Sequence, residues 1–339
     1  MLIFLVAMRA NMSKGADLFD ALSSSDQCEQ HSAALNTLPA GSSDQADAAK
    51  FHQSIEVCHG AHRHPVLGSR RGALFAASDW IADEVPVALE FNGISQAVML
   101  ATPLNLEEFA LGFALSEGII SAPGELYEFD ESSSELGITL RLRIASAAFQ
   151  RLKSRRRSLA GRTGCGLCGT ESLNHVARDL PPLPDTPAIG RLAVAQAISS
   201  LDALQILHRA TGAVHAAAWC SRQGEVMCLR EDVGRHNALD KLIGALALCK
   251  VNPATGFIAV TSRASFEMVQ KTASAGVPLL AAVSAPTMLA IKTAQRLRMT
   301  LVGFARQQDL VVFSHDERLD LAALPRSHAP IDSMKRPQP

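Results

Sequence analysis

Phe257–Val283, FIAVTSRASFEMVQKTASAGVPLLAAV, is the stretch that decides the fold. It predicts a strand over Phe257–Thr261, a helix over Ser265–Ala275 and a second strand over Leu279–Val283. The same alternation extends in both directions. Upstream, the pattern predicts a helix over Leu192–Arg209, strands over Val214–Cys220 and Glu225–Leu229 turning at Gln223-Gly224, and a helix over Asn237–Lys250. Downstream it predicts a helix over Thr287–Arg298 and strands over Thr300–Phe304 and Leu310–Phe313. Strand and helix alternating through short loops implies an α/β domain with a mixed, largely parallel sheet covered by helices. Residues 188–316 are assigned to it.

The polar residues of this domain sit just past strand ends. Glu231-Asp232-Val233-Gly234-Arg235-His236-Asn237 follows one strand, Ser262-Arg263-Ala264-Ser265 another, and Gly303–Gln308 a third. Ligands of open α/β sheets bind outside the carboxyl ends of the strands. Three such loops on one edge predict a pocket for phosphate and a purine. Ser265, as a helix cap with Arg263 beside it, suits a phosphate at a helix N-terminus. Any one loop taken singly is better explained by capping and ion pairing; the three together favour a site.

Pro181-Pro182-Leu183-Pro184-Asp185-Thr186-Pro187 reads as a stiff connector and a domain boundary. Residues 69–180 before it read as a small α+β domain. There Val85–Phe91 and Gln96–Ala101 flank Asn92-Gly93, a hairpin turn signal. Asn105 is expected to cap a helix over Leu106–Glu117. Leu136–Ile144 reads as a strand with Ile138, Leu140, Leu142 and Ile144 on one face, and Ser146–Ser158 as a basic helix. Residues 1–68 read as a disordered extension rich in Ser, Asp, Gln, Ala and His, with order beginning near Arg70. Its Cys58, His52, His59, His62 and His64 are read as solvated tail residues. Residues 317–339 read as a C-terminal tail.

The chemistry-bearing stretch ends the small domain: Gly161-Arg162-Thr163-Gly164-Cys165-Gly166-Leu167-Cys168-Gly169-Thr170 packs two thiols, four glycines and an arginine into ten residues. Glycine at this density gives backbone freedom and close approach to a ligand. Arg162, the cations from Arg151 to Arg157 and a helix starting near Thr170-Glu171 all favour the nucleophilic thiolate. Cys-x-x-Cys has three chemistries. A closed zinc site needs four ligands; no second pair exists and His175 supplies at most a third. Dithiol exchange prefers the pair at a helix start after a strand, and a basic helix precedes this one. The third chemistry is sulfur carriage as a persulfide, with the second Cys tuning or resolving it. A zinc-binding or dithiol redox accessory module without sulfur transfer is the alternative.

Composition narrows the classes. With 339 residues, 47% hydrophobic and 5% aromatic, the chain is globular, and a net charge of −1 gives no electrostatic case for nucleic acid or an anionic membrane surface. Seven cysteines fit a reducing cytoplasm better than a secreted disulfide framework. Met1–Met8 is apolar, short and without a preceding cationic region, so it is read neither as a signal peptide nor as a membrane helix. Met8 or Met12 is an alternative start.

Four stretches in this order, Gly164–Gly169, Thr211–Ala217, Glu231–Asn237 with Asp240-Lys241, and Ser262–Lys271, make the chain resemble the formate dehydrogenase accessory sulfur-carrier family (FdhD) from about Val85 to Phe313. The resemblance implies a cytoplasmic, homodimeric sulfurtransferase. It would take sulfur from a cysteine desulfurase and deliver it to the molybdenum bis(molybdopterin guanine dinucleotide) cofactor destined for formate dehydrogenase. The persulfide falls on Cys165, with Cys168 auxiliary and no resident metal. Cofactor binding falls on Phe304, Ala305, Arg306, Gln307, Gln308 and Asp309, joined by Ser262, Arg263, Arg235 and His236. Where the family often continues with Gly and another basic residue, this chain has Gln307 and Asp309. The family also implies a three-layer, cytidine deaminase-like core. Deaminase chemistry is not expected, because His215 is followed by Ala216 and Ala217 and the Glu of His-x-Glu is missing.

Overall fold

The computed structural model describes residues 58–157 and 178–321. The Cys-x-x-Cys stretch with Cys165 and Cys168, the helix expected near Thr170, and residues 1–57 and 322–339 lie outside the described residues. None of the helices among the described residues is long and apolar enough to cross a membrane.

The first unit opens earlier than the composition suggests. Strands β1 (Ala61–Arg70) and β2 (Ala73–Ala82) form an antiparallel hairpin, in register from Ala61↔Ala82 to Arg70↔Ala73. Its turn residues Arg71 and Gly72 have φ of 51° and 82°, the left-handed pair of a primed turn. Residues 61–68, read as disordered extension, are therefore strand. The alternation that would have announced them is missing because most β2 positions are exposed; only Trp80 is buried, against Cys58, Ala61, Leu207, Ala210 and Val214.

The four-stranded sheet β4-β3-β6-β5 follows: β3 (Val85–Phe91), β4 (Ile94–Ala101), β5 (Leu126–Ser134) and β6 (Gly137–Ile144). Asn92 and Gly93 make the expected turn, with φ of 47° and 77°. Leu140, Leu142 and Ile144 are buried together. Strand β5, unread in the sequence, pairs antiparallel with β6. Helix α1 (Leu106–Ser116) buries Phe109, Ala110, Leu111 and Phe113, residues from more than one face. Asn105 occupies its N-cap position but in the left-handed region, and its side chain makes no capping bond. Helix α2 (Ser146–Arg157) leads toward the cysteine stretch.

The second unit is a six-stranded sheet in the order β13-β12-β11-β10-β8-β9. Its strands are β8 (His215–Ser221), β9 (Val226–Asp232), β10 (Gly256–Val260), β11 (Leu279–Ala282), β12 (Thr300–Arg306) and β13 (Asp309–Ser314). Only β10–β11 and β11–β12 pair parallel; β8–β9, β8–β10 and β12–β13 are antiparallel, so the sheet is mixed rather than largely parallel. Two of those antiparallel pairs are hairpins closed by short turns, which leaves helical crossovers to only two parallel neighbours.

Helices α5 (Arg235–Leu248), α6 (Phe266–Ser274) and α7 (Met288–Arg296) cover one face through Leu239, Leu242, Met268, Val269 and Ala294. Helix α3 (Arg191–Leu204) covers the other through Val194, Ile198 and Leu201, giving three layers. The helix expected over Leu192–Arg209 is two, because Gln205 (ψ 83°) separates α3 from α4 (Ile206–Thr211).

The proline connector is packed against this unit. Leu183 is buried, its N–H donates to the Leu297 carbonyl at 2.8 Å, and Asp185 pairs with Arg298 and Arg318. Residues 319–320 of the expected tail form strand β14 (Leu319–Asp320), parallel to β7 (Ile189–Gly190).

The two units meet where α1 crosses α5. A Cβ on Gly112 would lie 1.7 Å from the Asp240 carbonyl oxygen, and one on Gly244 would lie 1.9 Å from that of Glu108. The backbones touch at the crossing, and only glycine permits it.

Candidate functional site

The sheet directions bring the expected loops to one edge. Strands β9, β10, β11 and β12 all end there, while β8, antiparallel to β9 and β10, begins there with His215. Asp232–His236, Ser262–Ser265 and Phe304–Asp309 thus share an edge, as the strand-end rule predicts. Thr261 ties the end of β10 to the start of β8: its N–H donates to the Ala216 carbonyl at 3.1 Å, and its Oγ1 accepts the Ala216 N–H at 2.9 Å.

Arg235 and His236 open α5, and Ser265 stands at the N-cap of α6. Burial and the neighbouring Arg263 hold the Arg235 guanidinium below its usual pKa. Burial, with Arg235, His208 and His236 nearby, pushes the His215 imidazole below the ordinary histidine value and favours its neutral form. His236 Nε2 lies 2.7 Å from Glu267 Oε2, and this contact lowers the carboxylate's pKa. Ser262 is buried, its hydroxyl donating to the Arg263 carbonyl at 3.1 Å. Ser265 makes no capping bond; its Oγ and the Nε of Arg235 are buried atoms without hydrogen-bond partners.

Buried donors left unsatisfied are costly. Two of them stand at the starts of α5 and α6 with Arg263 nearby, an arrangement whose helix dipoles favour an anion.

Phe304–Asp309 forms the end of β12, a tight turn and the start of β13. Phe304 and Gln307 both have φ of 52°, and Phe304 is 38% exposed with its ring 6.2 Å from that of Phe313. Ala305 is buried, whereas Arg306, Gln307, Gln308 and Asp309 are exposed. The Gln308 carbonyl accepts from Arg191 at 2.9 Å. This segment presents an aromatic face and a cation at the edge. Among the described residues no group of three or more His, Cys, Asp or Glu side chains is placed to hold a metal ion.

The Glu231–Lys241 stretch divides its labour. Arg235 and His236 face the edge, but Asp232, Asn237, Asp240 and Lys241 build the joint between the units. Asp232 is fully buried. Its Oδ2 receives Lys241 Nζ at 2.7 Å and the Thr102 N–H at 3.0 Å; its Oδ1 receives the Gly234 N–H at 2.7 Å and Asn237 Nδ2 at 3.0 Å. Lys241 Nζ also donates to the Thr102 carbonyl at 2.8 Å, and Asn237 to that of Leu100 at 2.8 Å. One helical turn on, Asp240 meets Lys271 Nζ at 2.9 Å and the Ser116 hydroxyl at 2.6 Å. The strand-end pattern does not predict this joint; the available signal is the adjacent opposite charges of Asp240-Lys241 in the otherwise apolar stretch Ala238–Leu248. Glu231 turns aside to accept the N–H groups of Leu207 and His208 at the start of α4, and burial raises its pKa.

Comparison with known proteins agrees with this architecture. A family model described as the FdhD/NarQ family matches residues 82–320. A sulfur carrier protein FdhD of Variovorax paradoxus (strain S110) is 64% identical over 256 residues, covering 76% of this chain and 92% of its own. One of Bordetella bronchiseptica is 55% identical over 256 residues, covering 75% and 93%. A crystal structure reported under the name of a formate dehydrogenase accessory protein, from Desulfotalea psychrophila, superimposes with a TM-score of 0.62 at 23% identity, over 77% of this chain and 99% of that one, and so shares the fold. From the family match and the extent of these identities, the chain belongs to the FdhD/NarQ family.

Proposed function

We propose that this chain is a sulfur carrier for formate dehydrogenase maturation, and that it moves sulfur as a persulfide on Cys165. The Cys165 thiolate attacks the outer sulfur of a cysteine desulfurase persulfide. The S–S bond breaks, the desulfurase cysteine leaves as thiolate, and Cys165 holds the outer sulfur; no net redox change occurs. The recipient is the molybdenum bis(molybdopterin guanine dinucleotide) cofactor, cargo rather than a resident group. The Cys168 thiolate attacks Cys165 Sγ, the persulfide S–S bond breaks and the outer sulfur leaves as sulfide for the cargo; the Cys165–Cys168 disulfide so formed accounts for the two electrons.

This chain's own residues would hold the cargo. Arg235, Arg263 and the Ser265 hydroxyl take phosphate oxygens, Arg306 adds a cation from the β12–β13 turn, and Phe304 offers a face to a purine. His236 is oriented by Glu267. Cys168 resolves or assists the release of sulfur. A homodimer in the cytoplasm and a core of the cytidine deaminase type complete the reading.

The observation that carries it is the pair of unsatisfied buried donors, Ser265 Oγ and Arg235 Nε, at the strand-end edge of a chain in this family. The test is mass spectrometry after incubation with a desulfurase and cysteine. The peptide bearing Cys165 is expected to gain about 32 Da, one sulfur, because the thiolate is the nucleophile. Undiminished uptake in Cys165→Ala refutes the assignment.

A further inference from the structure

The β1–β2 hairpin is a sheet of two strands, and among the described residues no further strand pairs with either outer edge. A lone two-stranded hairpin is marginal in water. Its root is fixed by Trp80, buried with Cys58, Ala61, Leu207, Ala210 and Val214. Beyond the root, β2 is exposed from Ala73 to Asp79. Apart from Ser78 and Asp79 it is apolar along its whole length. Large apolar side chains stand on both of its faces, Leu74 at 78% exposure on one, Phe75 and Ile81 on the other. Such a run is the pattern of an interior strand, covered on both sides.

The two edges of the hairpin differ. Strand β1 carries Arg63, Pro65 and Arg70, the kinds of residue with which exposed edges avoid pairing. Strand β2 carries no proline and no cation, and its register with β1 runs without a bulge. Counted from the Arg71-Gly72 turn, the ladder bonds join Arg70 to Ala73, Gly68 to Phe75 and Val66 to Ala77. The N–H and C=O groups of Leu74, Ala76 and Ser78 therefore point away from β1. By the same count the nitrogen of Pro65 points outward from β1, where a missing N–H costs the hairpin nothing. The Trp80 N–H donates to Asp79 Oδ1 at 2.9 Å, and the Ser78 carbonyl accepts from Arg63 at 3.1 Å with a second lone pair to spare.

We propose that the outer edge of β2 is a self-pairing surface, which joins two copies of this chain as an antiparallel four-stranded sheet, β1-β2-β2-β1, about a two-fold axis at Ala76. Centred there, Ala76 faces Ala76 of the partner subunit and Leu74 faces Ser78 of the partner subunit, so every outward residue meets an outward residue. Asp79 comes opposite Ala73 of the partner subunit, which keeps the two carboxylates apart. Pairing through β1 would instead gather its arginines and lack the Pro65 N–H. The assembly also closes. Two-fold pairing uses both β2 edges and leaves only the protected β1 edges outside, so copies stop at two instead of adding on. The inference gives the proposed homodimer its interface and rests on that part of the reading alone, not on the sulfur chemistry.

The test is sedimentation velocity of the full-length protein over a range of concentrations, where the wild type is expected to run as a dimer. Ala76→Pro removes one outward N–H and none of the hairpin's own bonds. It is expected to weaken dimerisation at least about tenfold while the far-ultraviolet circular dichroism stays unchanged. Ser69→Pro does the same to the β1 edge and is expected to leave the dimer intact. Cα atoms of a hydrogen-bonded antiparallel pair stand about 5.5 Å apart, within disulfide range. Ala76→Cys is therefore expected to cross-link two chains through residue 76 under diamide, with the joined peptides identified by mass spectrometry. Should Ala76→Pro fold poorly, that cross-link decides. A dimer that survives in folded Ala76→Pro, or the lack of a cross-link through residue 76, overturns this interface and leaves the homodimer standing. A monomeric wild type overturns both, the edge then being open or covered by the chain's own earlier residues or by another protein.

Discussion

Gly112→Ala tests the joint between the units through the sign of its effect. Gly112 lies inside α1, and helix propensity alone predicts that alanine there stabilises by about 1 kcal/mol. The crossing predicts the reverse. A Cβ on Gly112 would sit 1.7 Å from the Asp240 carbonyl oxygen and 2.8 Å from the Gly244 nitrogen, both backbone atoms that no rotamer change can move. To restore a contact of about 3 Å, α1 and α5 must part by about 1.3 Å, a shift well beyond what close-packed interiors absorb. Overpacking of this kind costs about 1–3 kcal/mol, and the rigidity of the obstruction puts it at the upper end. The same displacement lengthens the Ser116–Asp240 bond (2.6 Å) and the contacts of Lys271. The net expectation is a loss of about 2 kcal/mol, or roughly 4–8 °C in Tm. Thermal and urea unfolding, read with two probes, measure it. Gly244→Ala is expected to behave alike, and the double variant to lose less than the sum, since helices already parted admit the second methyl cheaply. A Gly112→Ala protein as stable as wild type, or more so, refutes the crossing.

Two further predictions address charge. Lys241→Met leaves Asp232 buried without its cation and is expected to lose about 3–5 kcal/mol in denaturant unfolding; a loss below about 1 kcal/mol would show that the Asp232 carboxylate is satisfied by its N–H donors alone. His215 is held below the ordinary histidine pKa by burial and by Arg235, His208 and His236; the paired strand β9 adds Arg230, Glu231 and Asp232 as charged neighbours. Between that depressed value and the unfolded value of about 6.5, the unfolded chain binds more protons, so stability should rise with pH across that window and fall on acidification. His215→Asn should flatten the dependence of Tm on pH there, and an unchanged slope would remove His215 from the account.

What the sequence made legible is what burial writes into it. Gly256–Val260 and Leu279–Ala282 are buried at every position, so they appear as short apolar runs on either side of a helical pattern. Asn92-Gly93 was readable because a primed turn demands positive φ. The β1–β2 hairpin was not, because Leu67 and Leu74 point outward at 75% and 78% exposure and no polar alternation marks a buried face. Strand β5, Leu-Tyr-Glu-Phe-Asp-Glu-Ser-Ser-Ser, is an edge strand whose acids pair with Arg141 and Arg143 across the ladder, and it looks like a loop by composition. The proline run signalled stiffness correctly, yet composition carries no information that Leu183 would be buried. For the site, strand-end loops could be placed on one edge from topology. The partners of Asp232 could not, because Thr102 lies 130 residues away and belongs to the other unit.

That last contact bears on how the strand-end edge obtains its shape. Asp232 spends one carboxylate oxygen on Lys241 and Thr102, which dock the small unit, and the other on Gly234 and Asn237, which set the turn that aims Arg235 and His236. One buried carboxylate therefore fixes both the joint and the turn that opens α5, so the placement of Arg235 and His236 is coupled to docking. The glycine crossing at Gly112 and Gly244 serves the same end, because only backbone contact between α1 and α5 brings Thr102 and Ser116 within hydrogen-bond reach of Asp232 and Asp240. An arrangement in which the small unit merely delivered a thiol on a tether would need neither device. Tying the strand-end edge and the joint to a shared carboxylate holds the small unit in register with the edge that carries Arg235 and His236.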